Sequence, residues 1–188
     1  MDRLGRFLEL WFGQQSGGKD DDPASTVGRV LRFNRPAPPG TFDGAVEVLV
    51  VENQGVWLWG KDADDRYVER ENEPGVPWQE TGESTEEFWL HHAAFDAVSN
   101  LPASRSAHCF DAATVRSIES ATTPLPCNSW SWPGTGHSLL YRGASVLMIC
   151  GDGTDFWVVA SAPTESDLRW LDDLYLTWDE SDSRRDDA

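Results

Sequence analysis

The sequence predicts an α+β fold in which antiparallel β-meander sheets are flanked by helices. Three observations carry this. The runs AVEVLVVE, VWLWG and RYVER follow one another at short intervals between residues 45 and 70, separated by QG and KDADD, as successive strands of a meander do. The runs SLLYR, SVLMIC and DFWVVAS repeat that arrangement from residue 138 onward, with RGAS and GDGTD as turn signals. Between the two groups, Ser84 and Glu87 form a capping box ahead of Phe88, Leu90, Phe95 and Val98, which predicts a helix running to about Ser99.

In chain order, Leu4, Phe7, Leu8 and Trp11 recur at helical spacing and predict a first helix over about residues 2–12, stopped by Gly13. QQSGGKDDDPAS is a polar loop, and a short helix is expected from Thr26 to Phe33, ending before Pro36 because a residue preceding proline avoids the helical region. RPAPPG makes a stiff turn into the first sheet. Strand Ala45 to Glu52 has β-branched residues on both faces, which predicts a central strand. Gln54–Gly55 supplies the hairpin turn, and the Asn53 amide is expected to satisfy its backbone, while Glu52 needs a partner or solvent. In the second half Asp111 caps a helix carrying Val115 and Ile118, and Thr164 with Asp167 opens a closing helix with Leu168 and Leu171 on one side. Both halves thus read helix, meander, helix. The expected units are a core at 1–100, a C-terminal α+β half at 101–176 packed on it, and a disordered acidic tail at 177–188.

With 188 residues, 39% of them hydrophobic, including 10 Trp and 8 Phe, the chain can bury a sizeable core. The N-terminal apolar residues are interrupted by Arg3, Arg6 and Glu9, unlike a secretory signal, and no run approaches the roughly 18 apolar residues of a membrane helix. A cytoplasmic location without membrane contact is expected. The three cysteines, Cys109, Cys127 and Cys150, lack CxxC spacing, so reduced thiols are expected rather than a disulfide framework or a zinc site. The 32 acidic against 15 basic residues give a formal net charge of -17. Such a surface repels phosphate backbones and attracts basic partners, which disfavours direct nucleic-acid binding; a merely solvated acidic surface explains the same composition.

Four groups of residues could carry chemistry. His91 and His92 with Asp96 offer two imidazoles and a carboxylate to a metal, but HHAAFDAV places His91 between Phe88 and Phe95, which favours a packed histidine. His108, Cys109 and Asp111 include a thiol and a base, although sequence neighbours rarely present their side chains together. WSWPGTGHSLLY resembles a phosphate loop only superficially, because it lacks GxxxxGK[ST] spacing and precedes a strand. Asp152 and Asp155 in GDGTD read as hairpin residues with an incomplete calcium-loop spacing. No nucleophile, base and oxyanion donor come together, which favours a binding protein; no cofactor, no metal and no small-molecule substrate are expected.

FLELWFG, then DGAVEVLVVENQGVWLWGKD, then VPWQETGESTEEFWLHHAAFDAV, in that order, resemble a bacterial branch of the SUKH superfamily, immunity-type proteins related to a yeast cell-wall synthesis regulator. In such proteins an ENQG-like turn leads into a strand with a tryptophan and glycine, and a Trp precedes a helix that begins with Ser. The later WSWPGTGHSLLYRGASVLMICGDGTDFWVVASAPTESDLRWLDDL is similar to the C-terminal region of actinobacterial members. One departure is VGRVLRFNRPAPPG, where many members have a Leu–Pro pair, an aromatic-rich helix and an Asn–Gly pair. The resemblance implies a non-enzymatic protein-binding domain, most often an immunity protein that occludes a cognate toxin, commonly a nuclease or deaminase. An acidic inhibitor suits a basic, nucleic-acid-targeting toxin, through steered association and a standard-sized interface. Within KDADDRYVERENE, Asp62, Asp64, Asp65, Glu69, Glu71 and Glu73 are the candidate partner-binding residues. An adapter or scaffold subunit of a larger assembly is the alternative function, and a small enzyme using His108, Cys109 or His91/His92 the third.

Overall fold

The computed structural model describes residues 3–13, 31–132, 136–151, 153–174 and 176–179. These residues form two antiparallel sheets and a set of helices, an α+β architecture. Helix α1 spans Arg3–Phe12 and buries Phe7, Leu8 and Trp11, the stripe that its spacing predicts. The expected helix from Thr26 to Phe33 lies mostly outside the described residues, and Leu31–Asn34 run as irregular chain into the first strand.

The first sheet consists of β1 (Arg35–Pro36), β2 (Phe42–Asp43), β3 (Val46–Val51), β4 (Trp57–Lys61), β5 (Tyr67–Glu71) and β6 (Gln79–Glu80), in the order β1-β3-β4-β5-β6 with β2 also on β3. The three long strands are the expected meander. The two-residue strands β1, β2 and β6 pair at its margins, where no sequence period could announce them. Gly60 is needed for contact with β3, since a Cβ there would lie 2.6 Å from the Glu47 carbonyl oxygen.

The β3–β4 turn differs from expectation in which side chain holds it. Gly55 lies at φ 78°, a left-handed conformation that suits glycine, and its N–H donates to the Glu52 carbonyl over 2.8 Å. Glu52 is 2% exposed, and its Oε2 accepts the N–H groups of Gln54 (2.8 Å) and Val56 (3.4 Å). Glu52 therefore satisfies the bend, while the buried Asn53 Oδ1, expected to do so, has no hydrogen-bond partner among the described residues.

Helix α2 (Thr85–Asn100) has the expected capping box: Ser84 Oγ accepts the Glu87 N–H and Glu87 Oε2 accepts the Ser84 N–H. Every residue from Phe88 to Val98 is buried, so the helix is enclosed on all sides rather than lying on a surface. Its neighbours explain this. Phe88 stacks on Tyr67 of β5 at 4.2 Å, and the residues of α2 share a core with Val50 and Trp59 of the first sheet and with Leu139, Val146, Met148 and Cys150 of the second.

The second sheet has the order β7-β11-β10-β9-β8, with β7 (Ala103–Phe110), β8 (Thr123–Pro124), β9 (Ser138–Arg142), β10 (Ser145–Gly151) and β11 (Phe156–Ala162). Strand β7 is an addition to the expected meander; ASRSAHCF alternates too weakly in polarity to announce it. The alternation of β10 separates two faces. Met148 with its row partners Leu139 and Val159 faces the α2 core, and Leu147 with Leu140 and Ala160 faces a second core beneath α3 (Ala112–Ala121) and a closing helix. Asp111 caps α3 as expected, accepting the Thr114 N–H at 2.8 Å. The closing helix is of the 3-10 type over Glu165–Asp173, and it buries Leu168 and Leu171. Asp179, expected in a disordered tail, is held against β7: its N–H donates to the Ser106 carbonyl and Ser106 Oγ donates to Asp179 Oδ2. Among the described residues no helix is long and apolar enough to cross a membrane.

Candidate functional site

Three of the four histidines are buried, and two of them join a carboxylate in a continuous chain. Glu83 lies just before the Ser84 cap, and its Oε1 is 2.8 Å from His91 Nδ1, two turns into α2. His91 Nε2 is 2.8 Å from Nε2 of His137, which lies just ahead of β9. Trp130 Nε1 donates to Glu83 Oε2 at 2.8 Å and the Asn128 N–H to Oε1 at 3.2 Å, so the segment between β8 and β9 closes over the carboxyl group. The Trp130 indole stacks on the His91 ring at 3.4 Å with an interplanar angle of 18°.

The charge state follows from burial. Removal from water disfavours the ionised carboxylate and pushes Glu83 up to about 8, against the opposing effect of its Trp130 and Asn128 donors; the same cause holds His91 well below its ordinary value. The contact is thus a hydrogen bond between a neutral acid and a neutral imidazole near neutral pH, rather than an ion pair. In the tautomer where the acid proton is directed at Nδ1, the His91 ring proton sits on Nε2 and is shared with His137. His92 is packed edge-on to Trp59 (5.0 Å) and Phe88 (4.7 Å), and neither of its ring nitrogens has a hydrogen-bond partner among the described residues. Asp96 does not complete a histidine pair: its Oδ1 accepts the N–H groups of Arg32 and Phe33 at 2.6 Å each, and so ties the chain entering β1 to α2.

Cys127 is half-buried, and its thiol donates to the Glu87 carbonyl at 3.8 Å. Burial and the nearby Glu83 and Glu87 carboxyl groups push this thiol above its ordinary value, which keeps it protonated and a poor nucleophile. Cys150 is a buried free thiol raised to about 12 by burial. His108 lies on the exposed side of β7, 3.3 Å from Asp179, while Asp111 is occupied at the α3 cap; the Cys109 side chain is outside the described residues. The phosphate-loop-like stretch contributes Trp130 and Trp132, which pack on Trp59; Pro133–Thr135 and Asp152 lie outside the described residues.

The six acidic candidates divide into three places. Asp62, Asp64 and Asp65 form the exposed β4–β5 turn, where Asp62 and Asp64 pair with Arg66 and Asp65 pairs with Lys61. Glu71 and Glu73 are exposed at the opposite end of β5. Their backbone carbonyls are clamped by the Arg70 guanidinium at 2.7 Å, which is itself held by Asp43 and lies over the Trp78 ring. Glu69 is not on that surface at all. It shares a row with Val50 and Trp59, is 4% exposed, and accepts hydrogen bonds from Trp57 Nε1 (3.0 Å) and the Ser131 N–H (2.8 Å). The alternation of YVERE turns Glu69 inward, so an external partner cannot reach it.

A separate groove of about 530 Å³ opens between α1 and β8–β9, walled mainly by Phe7, Leu10, Trp11, Leu90, Leu125 and Tyr141, with Arg6 at its edge. Arg6 is the one charged side chain among the groove's described lining residues.

Glu83, Cys127, Trp130 and His137 escaped the sequence as a site because they come together only through tertiary packing. The chain matches no family model, and no curated protein or solved structure matches it.

Proposed function

We propose that this chain is a non-enzymatic protein-binding domain, an immunity-type protein of SUKH character that neutralises a basic, nucleic-acid-targeting toxin by covering its substrate groove. The observation that carries the proposal is the separation of chemistry from access. Glu83, His91 and His137 are each at least nine-tenths buried and hold α2 to the segment ahead of β9, and the surface His108 is paired with Asp179, whereas the carboxylates of the two β5 ends point to solvent. A groove-blocking inhibitor needs no reacting group, only complementary charge and a few anchors.

The exposed ends of the first sheet supply both. Asp64 and Asp65 lie at one end; at the other, Glu71 and Glu73 stand near Val56, an exposed apolar side chain on the ENQG turn, and Asn72 Nδ2 donates to the Gly55 carbonyl to fix that arrangement. The test is coexpression with the product of the neighbouring gene. Rescue of growth from a toxic neighbour and a stable one-to-one complex are expected; a neighbour that neither binds nor is neutralised defeats the proposal.

A further inference from the structure

We propose that Glu83, His91 and Cys127 bind one divalent transition-metal ion of the zinc type, with His137 as the outer partner that orients His91. The inference is independent of the protein-binding reading. One ligand atom from each, a carboxylate oxygen, an imidazole nitrogen and Sγ, lies within 4.8 Å of the others, and Glu83 Oε1 is 2.8 Å from His91 Nδ1. A tetrahedral zinc ion bonded at about 2.0–2.3 Å sets its ligand atoms roughly 3.3–3.8 Å apart, so small side-chain shifts convert the cluster into a coordination sphere. Carboxylate, imidazole and thiolate form a set that zinc and cobalt accept and magnesium does not.

The surroundings fit a coordination site. A ligating histidine commonly donates its other ring N–H to a fixed acceptor, and His91 has such an acceptor in His137 Nε2 at 2.8 Å. The second Glu83 oxygen is fixed by Trp130 Nε1. Among the described residues no lysine or arginine hydrogen-bonds to Glu83, His91 or Cys127, so a bound cation would supply the positive charge this buried carboxyl and thiol lack. On binding, the ion takes the place of the proton shared by Glu83 and His91, and the thiol proton is released to solvent with it. The fourth position falls to water. Cys127 is the least buried of the three ligands and marks the side of entry.

The full-length chain, stripped of metal with a chelator, is titrated with Zn²⁺, Co²⁺ and Mg²⁺. Expected are one equivalent of Zn²⁺ bound, a thiolate-to-metal charge-transfer band with Co²⁺, a rise in thermal midpoint with Zn²⁺ but not Mg²⁺, and protection of Cys127 from alkylation, located by mass spectrometry. Cys127→Ser is expected to remove the band and weaken Zn²⁺ binding at least about tenfold, and His137→Gln to keep the band while weakening affinity about 10- to 100-fold. Cys150→Ser is expected to change neither. Absence of the band, survival of the band in Cys127→Ser, or protection of Cys150 in place of Cys127 overturns the site; the alkylation result on the unmodified sequence decides the matter even if a variant fails to fold.

Discussion

The two faces of the second sheet are packed by opposite means. Beneath α3 and the 3-10 helix, Ile118, Leu140, Leu147, Ile149, Val158, Leu168 and Leu171 make an aliphatic core with alanines between them. On the other face, around α2, the core is built from Trp59, Phe88, Trp89 and Trp130 and encloses Glu69, Glu83, His91, His92, Asp96 and His137. An aliphatic core tolerates approximate packing, because each contact is non-directional. The aromatic and polar core depends on hydrogen bonds whose loss leaves a buried group unpaired, so it specifies geometry at the risk of large penalties.

Substitutions distinguish the two cores. His91→Ala removes a ring stacked on Trp130 and takes one hydrogen-bond partner from each of the buried Glu83 and His137; a loss of about 3–5 kcal/mol is expected by chemical denaturation. Leu147→Ala on the other face, whose cross-strand partners Leu140 and Ala160 do not ionise, is expected to cost about 2–5 kcal/mol and to cost the same from about pH 5 to 9.

The pH profile sharpens the contrast. Burial raises Glu69, Glu83 and Asp96 and lowers His91 and His92. A carboxyl group raised in the fold keeps a proton that the unfolded chain has lost, so its contribution falls as pH climbs from the ordinary value of 4.5 towards the folded one, which for Glu83 is about 8. The lowered histidines act on the other side: below 6.5 the unfolded chain takes up protons that the fold refuses, and stability falls as pH drops. Metal-free protein is therefore expected to be most stable around pH 6–7, losing about 1.4 kcal/mol per pH unit for each net proton on either side. Urea titrations from pH 5 to 9 measure this, and Glu83→Gln is expected to flatten the alkaline limb.

Smaller effects belong to the surface of the first sheet. Glu52→Ala removes the acceptor for two turn N–H groups and is expected to cost about 1–2 kcal/mol. Asp64→Asn and Asp65→Asn, at exposed ion pairs, are expected to change stability by less than about 0.5 kcal/mol each in thermal denaturation.

The same contrast explains how much the sequence revealed. The strands of the two meanders, the α1 stripe, the Ser84–Glu87 box and the Asp111 cap are local patterns, and each is present where its spacing puts it, unlike β7. Leu147 and Leu140 announce their face by alternation. Nothing local announces that Glu83 meets His137 through His91, because His91 and His137 are 46 residues apart and the contact depends on how the β8–β9 segment packs. Acidic composition alone does not distinguish Glu69, inward on its strand, from the exposed Glu71 two residues later. Glu52 was visible as a carboxyl group needing a partner, and the turn backbone provides it.

The most direct test of a charge-steered binding domain is the association rate with the neighbouring gene's product, measured against ionic strength for the unmodified chain and for Asp64→Asn/Asp65→Asn/Glu71→Gln/Glu73→Gln. The expected result is a rate that falls steeply with added salt, and a variant that associates at least about tenfold more slowly at low salt while its stability is nearly unchanged. A salt-independent rate, equal for the two proteins, contradicts it.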